Sequence, residues 1–373
     1  MEIGKSYKAS AKSDLPAVES LLKVMLENKM VDKVLGADAP KNITQLKPVT
    51  IDSPDGIKDM NINAYIAFNF AKIDSSSKYI HKKMGGALDA KIGAFARPCD
   101  IRALVELHKR RQVNFDNLIL IGTEEYGQID AKPLAKYLKD NNIDPAKISN
   151  VCLTKDKINM VIDGKGKDFA FDDSIKICHN CSNCARKTAV NADIKASFLT
   201  NDIILTPMTQ KGLDVLEKSG NLLNLSEVNF DSASILKELE EQGNQRQLKE
   251  IEEFKALSPE DKMKELGKCT MCGMCINSCP VCFCVDCVLK KKRKAKEIDK
   301  FTYQLTRIAH IADTCVQCGK CESNCPPKLP LNVYFNNIAN MLAEKFNYVS
   351  GQSFDDIPPR ANVQDLELRF KKH

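Results

Sequence analysis

The chain has 373 residues, a formal net charge of +6, 43% hydrophobic and 28% charged residues, and sixteen cysteines. That balance is that of an ordinary soluble protein of two or more domains. It excludes a membrane span, because no apolar run is long enough, and gives nucleic-acid binding no support, because tryptophan is absent and no basic stretch is interleaved with aromatics. No apolar signal stretch follows Met1, and the cysteines sit in metal spacing, so a reducing cytoplasm and an anaerobic host are expected.

Asp14 is placed to cap a helix over 16–29, with Val18, Leu21, Leu22, Met25 and Leu26 on one face. Residues 31–35 read as a short buried strand, 64–70 form a second apolar run and 91–96 a third. Pro98, Cys99 and Asp100 follow the third run and open a helix over 101–111, and 118–122 reads as another strand. Strand, helix and strand within about thirty residues make a βαβ unit, hence parallel pairing and an α/β layer. Residues 158–162 and 169–171 flank Asp163-Gly164, a hairpin signal. From 230 to 266 the chain turns charged and helical. The expected division is an α/β domain over 1–229, a helical connector over 230–266, a module over 267–331 and a tail over 332–373, polar and loose or wrapped on a neighbour after Gly351.

The module carries two matched runs: Cys269, Cys272, Cys275 and Cys279 before Pro280, and Cys315, Cys318, Cys321 and Cys325 before Pro326. This is the spacing of a bacterial-type ferredoxin with two 4Fe–4S clusters, in which the fourth cysteine of each run binds the other run's cluster. One cluster then takes Cys269, Cys272, Cys275 and Cys325, the other Cys315, Cys318, Cys321 and Cys279. Structural zinc and disulfides rarely explain a doubled run with matched prolines. A further group, Cys178, Cys181 and Cys184, needs a fourth ligand for a third cluster. Cys99, at a helix N-terminus that favours thiolate, is preferred over Cys152, with zinc the alternative metal. Cys282, Cys284 and Cys287 stand open between apolar packing and, with Cys152, a fourth cluster. Between the runs, Ile298, Phe301, Leu305, Ile308 and Ile311 form an apolar stripe for packing, and the basic residues 290–294 are a solvated face or a docking patch. No GxGxxG or P-loop supports a Rossmann or Walker site.

The chain resembles the beta subunits of coenzyme F420 hydrogenases and formate dehydrogenases, the latter more closely. The resemblance lies in Ala96-Arg97-Pro98-Cys99-Asp100-Ile101-Arg102-Ala103, in 114–118, in 178–194 and in 269–331, where Cys279-Pro280-Val281-Cys282-Phe283-Cys284-Val285-Asp286-Cys287 and Ile308-Ala309-His310-Ile311 are the most specific stretches. It implies an α/β domain that binds FAD near Arg97 and Asp100, single electrons passing through the clusters, and a catalytic formate dehydrogenase-type subunit as partner. Where that family carries a cysteine in the turn after 118–122, this chain has Thr123-Glu124-Glu125-Tyr126-Gly127. The alternative is a flavin-less wire joining a dehydrogenase to a heterodisulfide-reductase-like module.

Overall fold

The computed structural model describes residues 1–12, 15–38, 42–71 and 73–360. Eleven strands are present among them: β1 (Ser6–Ala11), β2 (Lys33–Asp38), β3 (Lys47–Ile51), β4 (Ile92–Ala96), β5 (Leu118–Glu124), β6 (Ile148–Leu153), β7 (Lys157–Ile162), β8 (Lys165–Ala170), β9 (Ile194–Ser197), β10 (Ile203–Pro207) and β11 (Leu223–Val228). Eight form one sheet in the order β11-β1-β10-β9-β5-β4-β2-β3. Its centre, from β2 through β4 and β5 to β9, is parallel, and the flanking pairs are antiparallel. β4 (IGAFA) and β5 (LILIGTE) are buried along their whole length, as parallel strands covered on both faces must be. Strands β6 to β8 form a separate three-stranded sheet. Its β7–β8 turn is the expected Asp163-Gly164, with both residues at positive φ (48° and 77°).

The α/β architecture, the βαβ unit and the following helical and ferredoxin regions agree with the sequence reading. The structure refines three readings. The apolar run 64–70 falls mostly in a helix: Asn61 accepts a hydrogen bond from the Ala64 N–H and starts the helix Ile62–Phe68. A short apolar run does not by itself distinguish a buried strand from a buried helix. The segment after 331 opens with a 16-residue helix, Leu331–Phe346, which packs on Ser232–Ala256 through a T-shaped contact of Phe254 with Tyr334 (4.5 Å). After Gly351, the described residues 352–360 pack on the chain itself. Asn191 Nδ2 donates to the Gln352 carbonyl (3.0 Å), Phe354 packs on Phe115 (4.8 Å), and Arg360 pairs with Asp313. Asp14, the expected cap of the first helix (Ala17–Glu27), lies outside the described residues.

Two cores meet along the helix Pro98–Lys109. Its Leu104 and Leu107 belong to the sheet core, while Ala103 belongs to the ferredoxin core with Ile276, Tyr303 and Ile311. Arg102 Nη2 donates to the Val316 carbonyl (2.8 Å), and Glu106 accepts from Tyr348 Oη (3.0 Å) and the Gly351 N–H (2.8 Å). Gly351 sits at φ +73° with an added Cβ only 2.2 Å from the Arg102 carbonyl oxygen, so glycine is required there. Among the described residues no helix is long and apolar enough to cross a membrane.

Glu19 is buried under the sheet, where its Oε1 accepts from the Ile62 N–H (2.9 Å). Burial raises its carboxyl pKa from an ordinary 4.5 to about 7. The folded state therefore holds a proton that the unfolded chain releases between these values, and stability falls as pH rises from about 4.5 to about 7. Thermal unfolding of Glu19→Gln is expected to lack that component of the decline while wild type shows it; parallel curves for the two would refute the assignment.

Candidate metal centres

The cysteines of the ferredoxin region are drawn into two cavities. One, of about 240 Å³, is lined by Cys269, Cys272, Cys275 and Cys325, with Tyr303 and Gln304. The other, of about 340 Å³, is lined by Cys315, Cys318, Cys321 and Cys279, with Val281, Arg307 and Ile311. Each loop turns into a short helix, Met274–Asn277 or Lys320–Ser323, through a left-handed glycine, Gly273 (φ 80°) or Gly319 (φ 69°). Among the described residues no three His, Cys, Asp or Glu side chains converge closely enough to hold one metal ion. Thiols spread around a cavity match a four-iron cluster better than a single zinc.

The helix Lys300–Ile311 closes both cavities with part of the expected stripe. Ile308 and Ile311 are buried, Leu305 is exposed, and Tyr303, Gln304 and Arg307 complete the buried face. Two polar residues point inward because sulfur needs donors. Gln304 Nε2 donates to Cys269 Sγ (2.9 Å), and Arg307 Nη2 to the Cys275 carbonyl (3.2 Å). Arg307 is 3% exposed, and its Nε and Nη1 have no hydrogen-bond partner. Its charge faces the Cys279, Cys275, Cys321 and Cys282 thiols, which hold its pKa up against burial. Helical spacing with Tyr303, Ile308 and Ile311 was the available signal for both residues; polarity concealed it.

The third group gathers beyond the C-terminal ends of β4 and β5. Cys99 follows β4 at the start of its helix, and the loop bearing Cys178 and Cys181 is pinned by the Cys178 N–H donating to the Gln128 carbonyl (2.8 Å). Cys178 and Cys181 share a hydrogen bond that pulls the Cys181 thiol down to about 5, helped by the charges of Lys187 and Arg97. Lys187 Nζ donates to the Cys181 carbonyl (2.8 Å). The Cys99 thiol is pushed up by burial, then by the charges of Asp100, Cys318 and Cys181. Cys184 turns aside: its Sγ lies 3.3 Å from the Arg186 carbonyl and borders a polar cavity shared with Arg102. Cys152 is exposed on β6, opposite Asn159, and not among the residues lining the ferredoxin cysteine cavities.

Arg97 and Asp100, the residues expected near a flavin, bond to partners within the protein. Arg97 Nη1 pairs with Glu125 (2.9 Å), while Nη2 donates to the Tyr65 and Ile66 carbonyls (3.0 and 2.7 Å). Asp100 Oδ1 accepts from the Ser77 N–H and hydroxyl (3.2 and 2.5 Å). Both side chains are buried, and the Arg97 charge acts on Cys181 and Cys99.

The third group also touches the second ferredoxin loop. An added Cβ on Gly319 would fall 1.9 Å from Asn180 Cγ, and Asn332 Nδ2 hydrogen-bonds Asn180.

The fold and its cysteine cavities define an iron–sulfur protein. Residues 89–217 match the family model for the C terminus of the coenzyme F420 hydrogenase/dehydrogenase beta subunit, and 265–329 match a 4Fe-4S dicluster domain. The chain is 26% identical over 371 residues to the F420-dependent formate dehydrogenase subunit beta of Methanocaldococcus jannaschii, covering 93% of this chain and 94% of that one. It is 28% identical over 372 residues to F420-dependent formate dehydrogenase 1 subunit beta of Methanococcus maripaludis, with 92% of each covered. A chain from the F420-reducing NiFe hydrogenase complex of Methanosarcina barkeri shares the fold at a TM-score of 0.51 and 16% identity, covering 67% of this chain and 93% of that one. The resemblance to the beta-subunit family seen in the sequence is borne out.

Gly319→Ala forces a methyl group into Asn180 at a left-handed φ. Anaerobic unfolding is expected to show a loss of about 2–4 kcal/mol, the sum of overpacking and backbone strain. Adding Asn180→Ala is expected to recover the overpacking share; no recovery would mean that the two loops do not pack together.

Proposed function

We propose that this chain is the electron-transfer subunit of a formate dehydrogenase-type complex, carrying electrons singly between a catalytic subunit and a second redox module. The observation that carries the reading is the continuity of the cysteine groups. Cys318 acts on Cys99, Asn180 packs on Gly319, and the two ferredoxin cavities sit on one helix, Lys300–Ile311. Cys269, Cys272, Cys275 and Cys325 hold the first 4Fe–4S cluster, and Cys315, Cys318, Cys321 and Cys279 the second. Cys99, Cys178 and Cys181 hold the third, and Cys184, whose Sγ lies against the Arg186 carbonyl, must turn toward them to complete the set. Bound clusters supply one-electron chemistry. The protein fixes their spacing, excludes water with Val281, Tyr303 and Ile311, and offsets their charge with Arg97, Arg102 and Arg307. Donors and cations beside the sulfurs raise reduction potentials.

Relatives named as F420-dependent point to a flavin that converts hydride to single electrons. In this chain the two residues expected to meet FAD are spent inside the protein, which favours the flavin-less wire toward a heterodisulfide-reductase-like module. Released-flavin analysis separates the two: protein free of FAD with unimpaired electron transfer is expected, and stoichiometric FAD sinks the wire.

Crossed ligation predicts that Cys279→Ser alters the signal of the second cluster and Cys325→Ser that of the first. Paramagnetic spectroscopy on the single variants reads this; disturbance confined to each cysteine's own run would overturn the assignment.

Lys290, Lys291, Lys292 and Lys294 are exposed on the helix Val288–Ala295, whereas Arg293 turns inward and donates to the Met271 carbonyl (3.1 Å). We assign the four lysines to the catalytic partner's interface. Reversing their charges is expected to weaken association more at low than at high ionic strength, because salt already screens the attraction. Gel filtration showing equal loss in both, or none, would move the interface elsewhere.

A further inference from the structure

The loop 282–287 leaves three thiols without a role in the path described above. Cys282, Cys284 and Cys287 line a cavity of about 330 Å³, and His310 lines it too. It adjoins the second ferredoxin cavity, since Val281, Arg307 and Ile311 border both. Cys152, the fourth thiol that spacing offered, is elsewhere on the exposed face of β6.

Three uses other than cluster binding fit poorly. Cys282 and Cys287 pack partly against the ferredoxin core, but Cys284 is exposed, so apolar filling does not account for it. All three cysteines are free, so no disulfide consumes them. Among the described residues no three ligand side chains converge as a single zinc requires. Arg307 adds a positive reason. It is a 3%-exposed cation whose Nε and Nη1 lack hydrogen-bond partners at the wall common to both cavities, so anionic sulfur on each side would satisfy it.

We infer that Cys282, Cys284, Cys287 and His310 hold a fourth 4Fe–4S cluster with one imidazole ligand. Histidine in place of cysteine removes a negative ligand and raises the reduction potential, as it does where two histidines replace cysteines in Rieske centres. The site lies at the surface: Val285, at the tip of the loop, is 98% exposed, and the lysines of Val288–Ala295 follow directly. The fourth cluster is thus the terminal station, where an electron crosses between this chain and its partner. This inference rests on the electron-transfer reading above.

The test uses the full chain, purified anaerobically with its clusters. Wild type is expected to contain about sixteen irons and Cys284→Ser about twelve, with the other three cluster signals intact. The reduced wild type is expected to show nitrogen hyperfine coupling from a bound imidazole. His310→Cys is expected to keep about sixteen irons, lose that coupling and shift one potential downward. About twelve irons in wild type, or an unchanged count in Cys284→Ser, would overturn the fourth cluster and leave the three-cluster wire standing. About twelve irons with one zinc would replace the cluster by a zinc site. Sixteen irons without a His310-dependent coupling would overturn the imidazole ligand. Eight irons or fewer, by contrast, would defeat the three-cluster path itself.

Discussion

Thiolates crowded into an apolar interior repel one another, and buried guanidiniums answer that charge. Arg97, Arg102 and Arg307 are each no more than 3% exposed, and each acts on cysteines of at least one group. An arginine so deeply buried is costly unless anions surround it. Arg97 meets Glu125 as well as Cys181 and Cys99; Arg307 meets sulfur, the Cys275 carbonyl and the Phe335 ring (5.9 Å). Replacing a single-sign cluster of charges by an alternating one is what lets three cysteine groups share one molecule.

That constraint also explains the seam between the two cores. Arg102 is held by the Val316 carbonyl of the ferredoxin loop, yet it stands on the helix that β4 starts. Its charge reaches both Cys99 and Cys315. One side chain thus ties the sheet to the second cysteine run mechanically and electrostatically. Glu106, one turn further along, takes hydrogen bonds from Tyr348 and Gly351, so the chain returning from its last helix clamps the same element. Electron tunnelling needs fixed short separations, and a seam with hydrogen bonds from two successive turns of one helix supplies them.

The turn 123–127 shows how a departure from the family pattern is absorbed. The resemblance places a cysteine there; this chain has Glu125, whose carboxylate pairs with Arg97, and burial raises its pKa while Arg97 works against the rise. Arg97 is thereby locked against Tyr65 and Ile66 and becomes part of the frame around Cys99 and Cys181.

The sequence by itself determined whatever depends on local spacing. The doubled cysteine runs, the parallel strands 92–96 and 118–122, the Asp163-Gly164 turn and the charged helices after 230 are short-range patterns, because ligand loops, strand periodicity and turn dihedrals are set within a few residues. Grouping of Cys99 with Cys178 and Cys181 was legible only as a count of ligands. Tertiary structure decided the rest. It turned 62–68 into a helix, spent Arg97 and Asp100 on internal partners, set Cys152 apart, and brought Gln304, Arg307 and His310 to the cysteine cavities. Those outcomes depend on which buried polar group finds a partner far along the chain, and pairing across that distance leaves no local period to read.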